Sequence, residues 1–131
     1  MKKILSVILI LAFVISMIGC TKVDFDLSKF ETHDAITSLE MIESNYEMNE
    51  GKTIKIRGIL SKIETEKTKN YLVILKEESH DHIGYIEFML TDPPEEYPEG
   101  STDITVTGKL SKYEYMGITY YCLIDAKMKI N

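Results

Sequence analysis

The chain has 131 residues, with 21 acidic against 15 basic side chains and a net charge of −6 when its histidines are neutral. That length is one domain. Arg57 is the only arginine, and so acidic a chain is a poor nucleic-acid binder, because that affinity comes mostly from Lys and Arg neutralising phosphates.

The first twenty residues set the compartment. Met1-Lys2-Lys3 is followed by an apolar block at 4–18, broken only by Ser6 and Ser16. A spanning helix wants about 20 apolar residues, whereas a secretory apolar region wants about 7–15. The block therefore reads as a signal that is removed. Met17-Ile18-Gly19-Cys20 resembles the lipobox of bacterial lipoproteins, with a small residue before the cysteine and Met17 where leucine is usual. The resemblance implies cleavage after Gly19, a diacylglyceryl thioether on Cys20 and an acylated Cys20 as the new N-terminus. Two acyl chains meet the requirement for stable attachment. The expected location is the extracytoplasmic face of the cell membrane. The other reading is an uncleaved anchor in which Cys20 is an ordinary cysteine.

Without residues 1–19 the chain has 112 residues, and 13 basic against 21 acidic side chains give −8. If Cys20 carries lipid, Cys122 has no intrachain partner, so no disulfide framework is available. Residues 20–31 read as the lipidated cysteine and a short tether, and 32–131 as the folded domain.

Asp34 can cap a helix, and Ala35, Leu39, Ile42 and Tyr46 follow on one face. The spacing predicts a helix over 34–44, with Glu40, Glu43 and Glu47 mostly elsewhere and Met41 and Met48 as packing. Glu50-Gly51-Lys52 is a turn. Residues 53–64 alternate, with Ile54, Ile56, Gly58 and Leu60 on one face and Lys55 and Arg57 on the other, as in a half-buried strand. Gly58 marks a bend or bulge. A loop at 65–70 leads to a second strand at 71–76, and a loop at 77–83 to a third at 84–91. In the third, Ile86, Phe88 and Leu90 point inward and Glu87 outward. All three prolines fall in the connection at 92–101. A fourth strand at 103–113 turns Ile104, Val106, Gly108 and Leu110 inward. The fifth, at 118–130, places Tyr120, Cys122, Ile124, Ala126, Met128 and Ile130 on the inward face, against Tyr121, Asp125, Lys127 and Lys129.

Strands one and four share a turn glycine, β-branched alternation, a mid-strand glycine and Leu-Ser-Lys. Two long strands with central glycines are what a small closed barrel needs to turn its corners. The fold class is mainly β: a five-stranded OB-fold-like barrel with one N-terminal helix. The helix stands in for the plug that usually lies between strands three and four.

At Gly84-Tyr85-Ile86-Glu87-Phe88, at Tyr97-Pro98, at Ile104-Thr105-Val106-Thr107-Gly108 and from Tyr120 to Ala126, the chain resembles small lipoproteins of clostridia and related bacteria that pair a lipoprotein signal with an OB-like domain. The resemblance covers most of residues 40–128, and its motifs speak to fold more than to activity. It implies a cysteine pair in relatives near the place of His80-Asp81-His82, so that histidines here keep ligand character with a different ligand type. A fainter likeness is to membrane-anchored haem chaperones. Their haem histidine lies in a C-terminal motif, and no histidine follows Gly117 here.

His80, Asp81 and His82 are the one cluster with ligand character. In an extended segment His80 and His82 point the same way, and with a carboxylate they suit zinc or another divalent metal. The alternative is a solvated loop before strand three. No nucleophile-base arrangement or phosphate-cradling glycine loop occurs, so the chain is not read as an enzyme. Among the eight tyrosines, Tyr85, Tyr113 and Tyr121 are candidates for a ligand-facing set, since exposed aromatics on such a face stack on flat ligands. The other reading is barrel and edge packing. The expected role is a lipid-anchored binding module, accessory to an envelope or transport protein and handling a divalent metal. The alternative is a metal-free module for a protein or an oligosaccharide.

Overall fold

A computed structural model describes residues 22–64, 69–76 and 82–131. The signal segment with Cys20, the loop at 65–68, and His80 with Asp81 lie outside the described residues. Six strands of the described residues make one sheet: β1 Phe25–Asp26, β2 Thr53–Glu64, β3 Lys69–Lys76, β4 Ile83–Leu90, β5 Asp103–Tyr115 and β6 Ile118–Ile130. Among the described residues two helices precede β2, α1 at Thr32–Ser44 and the single turn α2 at Tyr46–Asn49. No helix among the described residues is long and apolar enough to cross a membrane.

Hydrogen bonding runs in a ring. β2 pairs antiparallel with β3, β3 with β4, β4 parallel with β6, β6 antiparallel with β5, and β5 antiparallel with β2 again. β2 closes the ring because its residues 53–59 pair with β5 and its residues 59–64 with β3. Gly58 sits at that handover. A Cβ there would stand 2.5 Å from the Ile74 carbonyl oxygen, so only glycine lets β3 come this close. The register of β2 runs through Gly58 without a shift on either side, so the glycine serves this close approach.

Ile54, Ile56, Val73, Ile104, Val106 and Leu123 are fully enclosed in the ring. Ala35, Ile36, Leu39 and Ile42 of α1 pack onto the same core. Each of these isoleucine, leucine and valine side chains contributes about 1.5–3 kcal/mol by leaving water. The helix begins two residues before the expected start, and Glu31, not Asp34, takes the capping position, with no side-chain bond. Asp34 falls in the first turn instead, where its charge suits the helix dipole. Met41 and Met48, expected to pack, are exposed.

The segment read as a tether is folded from Asp24 onward. The Asp24 N–H donates to the Thr53 carbonyl at 2.9 Å, and the Thr53 N–H donates to Asp24 Oδ2 at 2.8 Å. β1 then adds to the edge of β2 in parallel, and Leu27, in a 3-10 turn at Leu27–Lys29, is buried in the core. The gain is the burial of an apolar side chain that a solvated tether would leave in water.

β6 departs from a single alternating face. Thr107 lies opposite Lys127, but Lys109 lies opposite Ile124. β6 thus carries one extra residue, and Asp125 absorbs it with φ 48°. Such a bulge exchanges the two faces of a strand. Downstream, Ala126 and Met128 face the core as expected. Upstream, Leu123 and Tyr121 do so instead. Cys122, expected in the inward row, is buried on the other side of the sheet, paired between Glu87 and Ser111.

Candidate functional site

Pairing of β4 with β6 begins at Glu87 and Cys122. Short of that pair the strands part, and α1 closes the gap from one side. The resulting cavity, about 190 Å³, is lined by Ile36, Leu39, Glu40 and Glu43 of α1, by Ile83, Gly84, Tyr85 and Glu87 of β4, and by Thr119, Tyr120 and Tyr121 of β6. Gly84 packs closely under α1: a Cβ at this position would meet the Ile36 side chain at 3.0 Å, and that side chain would have to yield.

Among the described residues three carboxylates line the cavity and no lysine or arginine does. Burial, aided by the charge of Glu40, pushes the Glu43 carboxyl up to about 7. No hydrogen bond or ion pair reaches Glu43 among the described residues. Glu87 is only 8% exposed, and its Oε2 accepts a hydrogen bond from the Tyr113 hydroxyl at 2.5 Å. Burial first, and that bond second, hold the Tyr113 phenol above its usual range. Tyr113 stacks on Tyr120 with ring centroids 5.4 Å apart, so the wall behind Glu87 is aromatic. At the rim, His82 Nε2 lies 3.1 Å from Glu40 Oε1, and the ring of His33 is 6.2 Å from that of His82.

Two of the three tyrosines singled out in the sequence, Tyr85 and Tyr121, therefore line one cavity, and Tyr113 supports it through Glu87. His82 stands at its edge, while His80 and Asp81 lie outside the described residues. Among the described residues no group of three or more His, Cys, Asp or Glu side chains is placed to hold a metal ion. The Cys122 thiol is pushed up by burial and by Glu87, which suits an inert buried cysteine.

The glutamates of α1 were missed by the sequence reading. Their signal was present: Ile36, Leu39, Glu40 and Glu43 recur at spacings of three, one and three, a second stripe beside the apolar one. A wider groove of about 640 Å³ runs past Leu27, Phe30, Arg57 and Asp103. Its charged pair is already satisfied, with Arg57 Nη2 2.7 Å from Asp103 Oδ2, so the cavity under α1 is the stronger candidate. Compared with known proteins, the chain matches no family model, no curated protein and no solved structure.

Proposed function

We propose that the protein is a lipid-anchored binding module on the extracytoplasmic face of the membrane, and that its cavity takes a small ligand with a cationic group and an apolar body. The ring order supports an OB-type barrel: counted from β2, the third and fifth strands close in parallel, and α1 stands before the first strand in place of an inserted helix. The anchor rests on Met17-Ile18-Gly19-Cys20. The observation that carries the ligand reading is Glu43, a half-buried carboxylate with no donor or cation on it among the described residues, set among Glu40, Tyr85 and Tyr120. A cation supplies the missing charge, and tyrosine faces attract it further.

Calorimetric titration of the processed, lipid-bearing protein in detergent tests this with alkylammonium ions against neutral oligosaccharides. Binding of the ammonium ions, weakened about tenfold or more by Glu43→Gln and also weakened by Tyr85→Ala, is the expected result. Binding of neutral sugars alone would sink the cation reading while keeping a binding module. Metabolic incorporation of an acyl label that Cys20→Ala abolishes is expected for the anchor.

A divalent metal is the second reading, favoured by Glu40 within 3.1 Å of His82 and by the nearby ring of His33. Zinc titration of the wild type beside His82→Ala decides it; equal weak binding by both removes the metal.

A further inference from the structure

The charges of this acidic chain are unevenly placed. On the outward side of the ring, Lys55 of β2 and Lys127 of β6 flank Thr107 of β5, and Arg57 and Lys129 flank Thr105 in the next row. Lys109 of β5 lies beside Thr53. Arg57, Lys109, Lys127 and Lys129 are exposed and Lys55 half-buried. Neighbouring strands stand about 5 Å apart, so these charges share one compact face. Among the described residues four carboxylates lie nearby, one of them Asp24, whose Oδ2 accepts the Thr53 N–H beside Lys109. Asp103 pairs with Arg57 at 2.7 Å, Asp125 lies 4.0 Å from Lys109, and Asp26 lies beside Lys55 and 3.7 Å from Lys29. Lys127 and Lys129 have no ion-pair partner among the described residues.

The chain reaches the sheet next to this face. Asp24 is tied to Thr53, the β2 residue opposite Lys109. Cys20 lies four residues earlier, and four residues reach at most about 14 Å. A lipid on Cys20 therefore holds the bilayer close to this side of the ring.

We propose that the outward face of β2, β5 and β6, bearing Lys55, Lys109, Lys127 and Lys129, lies on the anionic headgroups of the membrane in which Cys20 is anchored. This rests on the lipid anchor of the proposed function. A chain of net charge −8 after cleavage is repelled as a whole by an anionic surface, whereas lysines within a Debye length are attracted to it. The balance fixes an orientation. Tyr120 is nine residues before Lys129 on β6, about 30 Å along a strand, so the cavity lies well to the side of the basic cluster.

The test uses the processed protein purified from membranes and added to two sets of vesicles, phosphatidylcholine alone and phosphatidylcholine with phosphatidylglycerol. A water-soluble amine reagent labels exposed lysines, and peptide masses report the rate at each. On anionic vesicles Lys127 and Lys129 are expected to label about fivefold more slowly or less, Lys112 at an unchanged rate, and high salt to remove the protection. Lys127→Glu with Lys129→Glu, checked for an unchanged thermal midpoint, should restore labelling of Lys55 and Lys109. Equal labelling on both vesicles, with the protein floating on both, would overturn the proposal and leave the anchor standing. Flotation with anionic vesicles only would overturn the anchor and support the basic face. Flotation with neither overturns both.

Discussion

Replacing Glu43 by glutamine isolates the carboxylate of the cavity that nothing answers among the described residues. Burial and Glu40 move its carboxyl from 4.5 to about 7. The folded chain therefore holds the proton more tightly than the unfolded chain. Stability from this group is fully present below about pH 4.5, falls as pH rises through the window to about 7, and stays low above it. A shift of that size corresponds to at most about 3.4 kcal/mol. Glu43 is only half-buried, and solvent screening brings this to about 1–2 kcal/mol. Glutamine has nearly the same shape and no charge to lose. Glu43→Gln should match the wild type at pH 4 and exceed it at pH 8 by about 1–2 kcal/mol, or about 4–8 °C in Tm for a domain of this size. Thermal melts followed by circular dichroism at half-unit steps between those pH values measure the difference. A constant offset across the range, or a variant that is weaker at pH 8, would refute the assignment of an unanswered charge to Glu43.

Gly58→Ala places a methyl group 2.5 Å from the Ile74 carbonyl oxygen. The strands must separate at the handover, and urea unfolding should show a loss of about 1–3 kcal/mol; an unchanged midpoint would mean that β3 has room to spare. Tyr113→Phe removes the hydroxyl that donates to buried Glu87, and a loss of about 1–3 kcal/mol is expected in the same assay. Cys122 is buried and its thiol is pushed up, so a chromogenic disulfide reagent should leave it untouched in the native protein and react once urea unfolds it. Reaction in the native state at the rate of a free thiol would contradict that burial. With Cys20 acylated, the unfolded chain should give one thiol and not two.

The sequence made the ring legible because its alternation is strict where both faces have one role. Ile54, Ile56, Ile104 and Val106 are inward as expected, and the bounds of β6 agree with the reading at both ends. Two features had no local signature. β1 is two residues long and gains its stability from pairing with β2 and from Leu27 behind it, contacts set by residues nearly thirty positions away. The bulge in β6 is equally silent. Alternation continues through Leu123, Ile124, Asp125 and Ala126 on paper, and only the register with β5 shows that one residue is surplus.

That surplus residue also changes how the two cavity tyrosines come together. The sequence places Tyr85 and Tyr121 in one ligand-facing, outward set. The bulge turns Tyr121 towards the core, where its ring lies 5.8 Å from that of Tyr46, while Tyr85 stays outward and 57% exposed. Two rings on opposite faces can line one space only where the sheet ends, and β4 and β6 do stop pairing just before both of them. The same exchange of faces leaves Lys127 and Lys129 outward beyond Asp125. A strand without the bulge could not bury Leu123 and Ala126 together: if Leu123 faced the core, Ala126 and Met128 would face water and Lys127 and Lys129 the interior. One left-handed residue thus lets a single strand line a ligand cavity at its start and present a basic surface at its end.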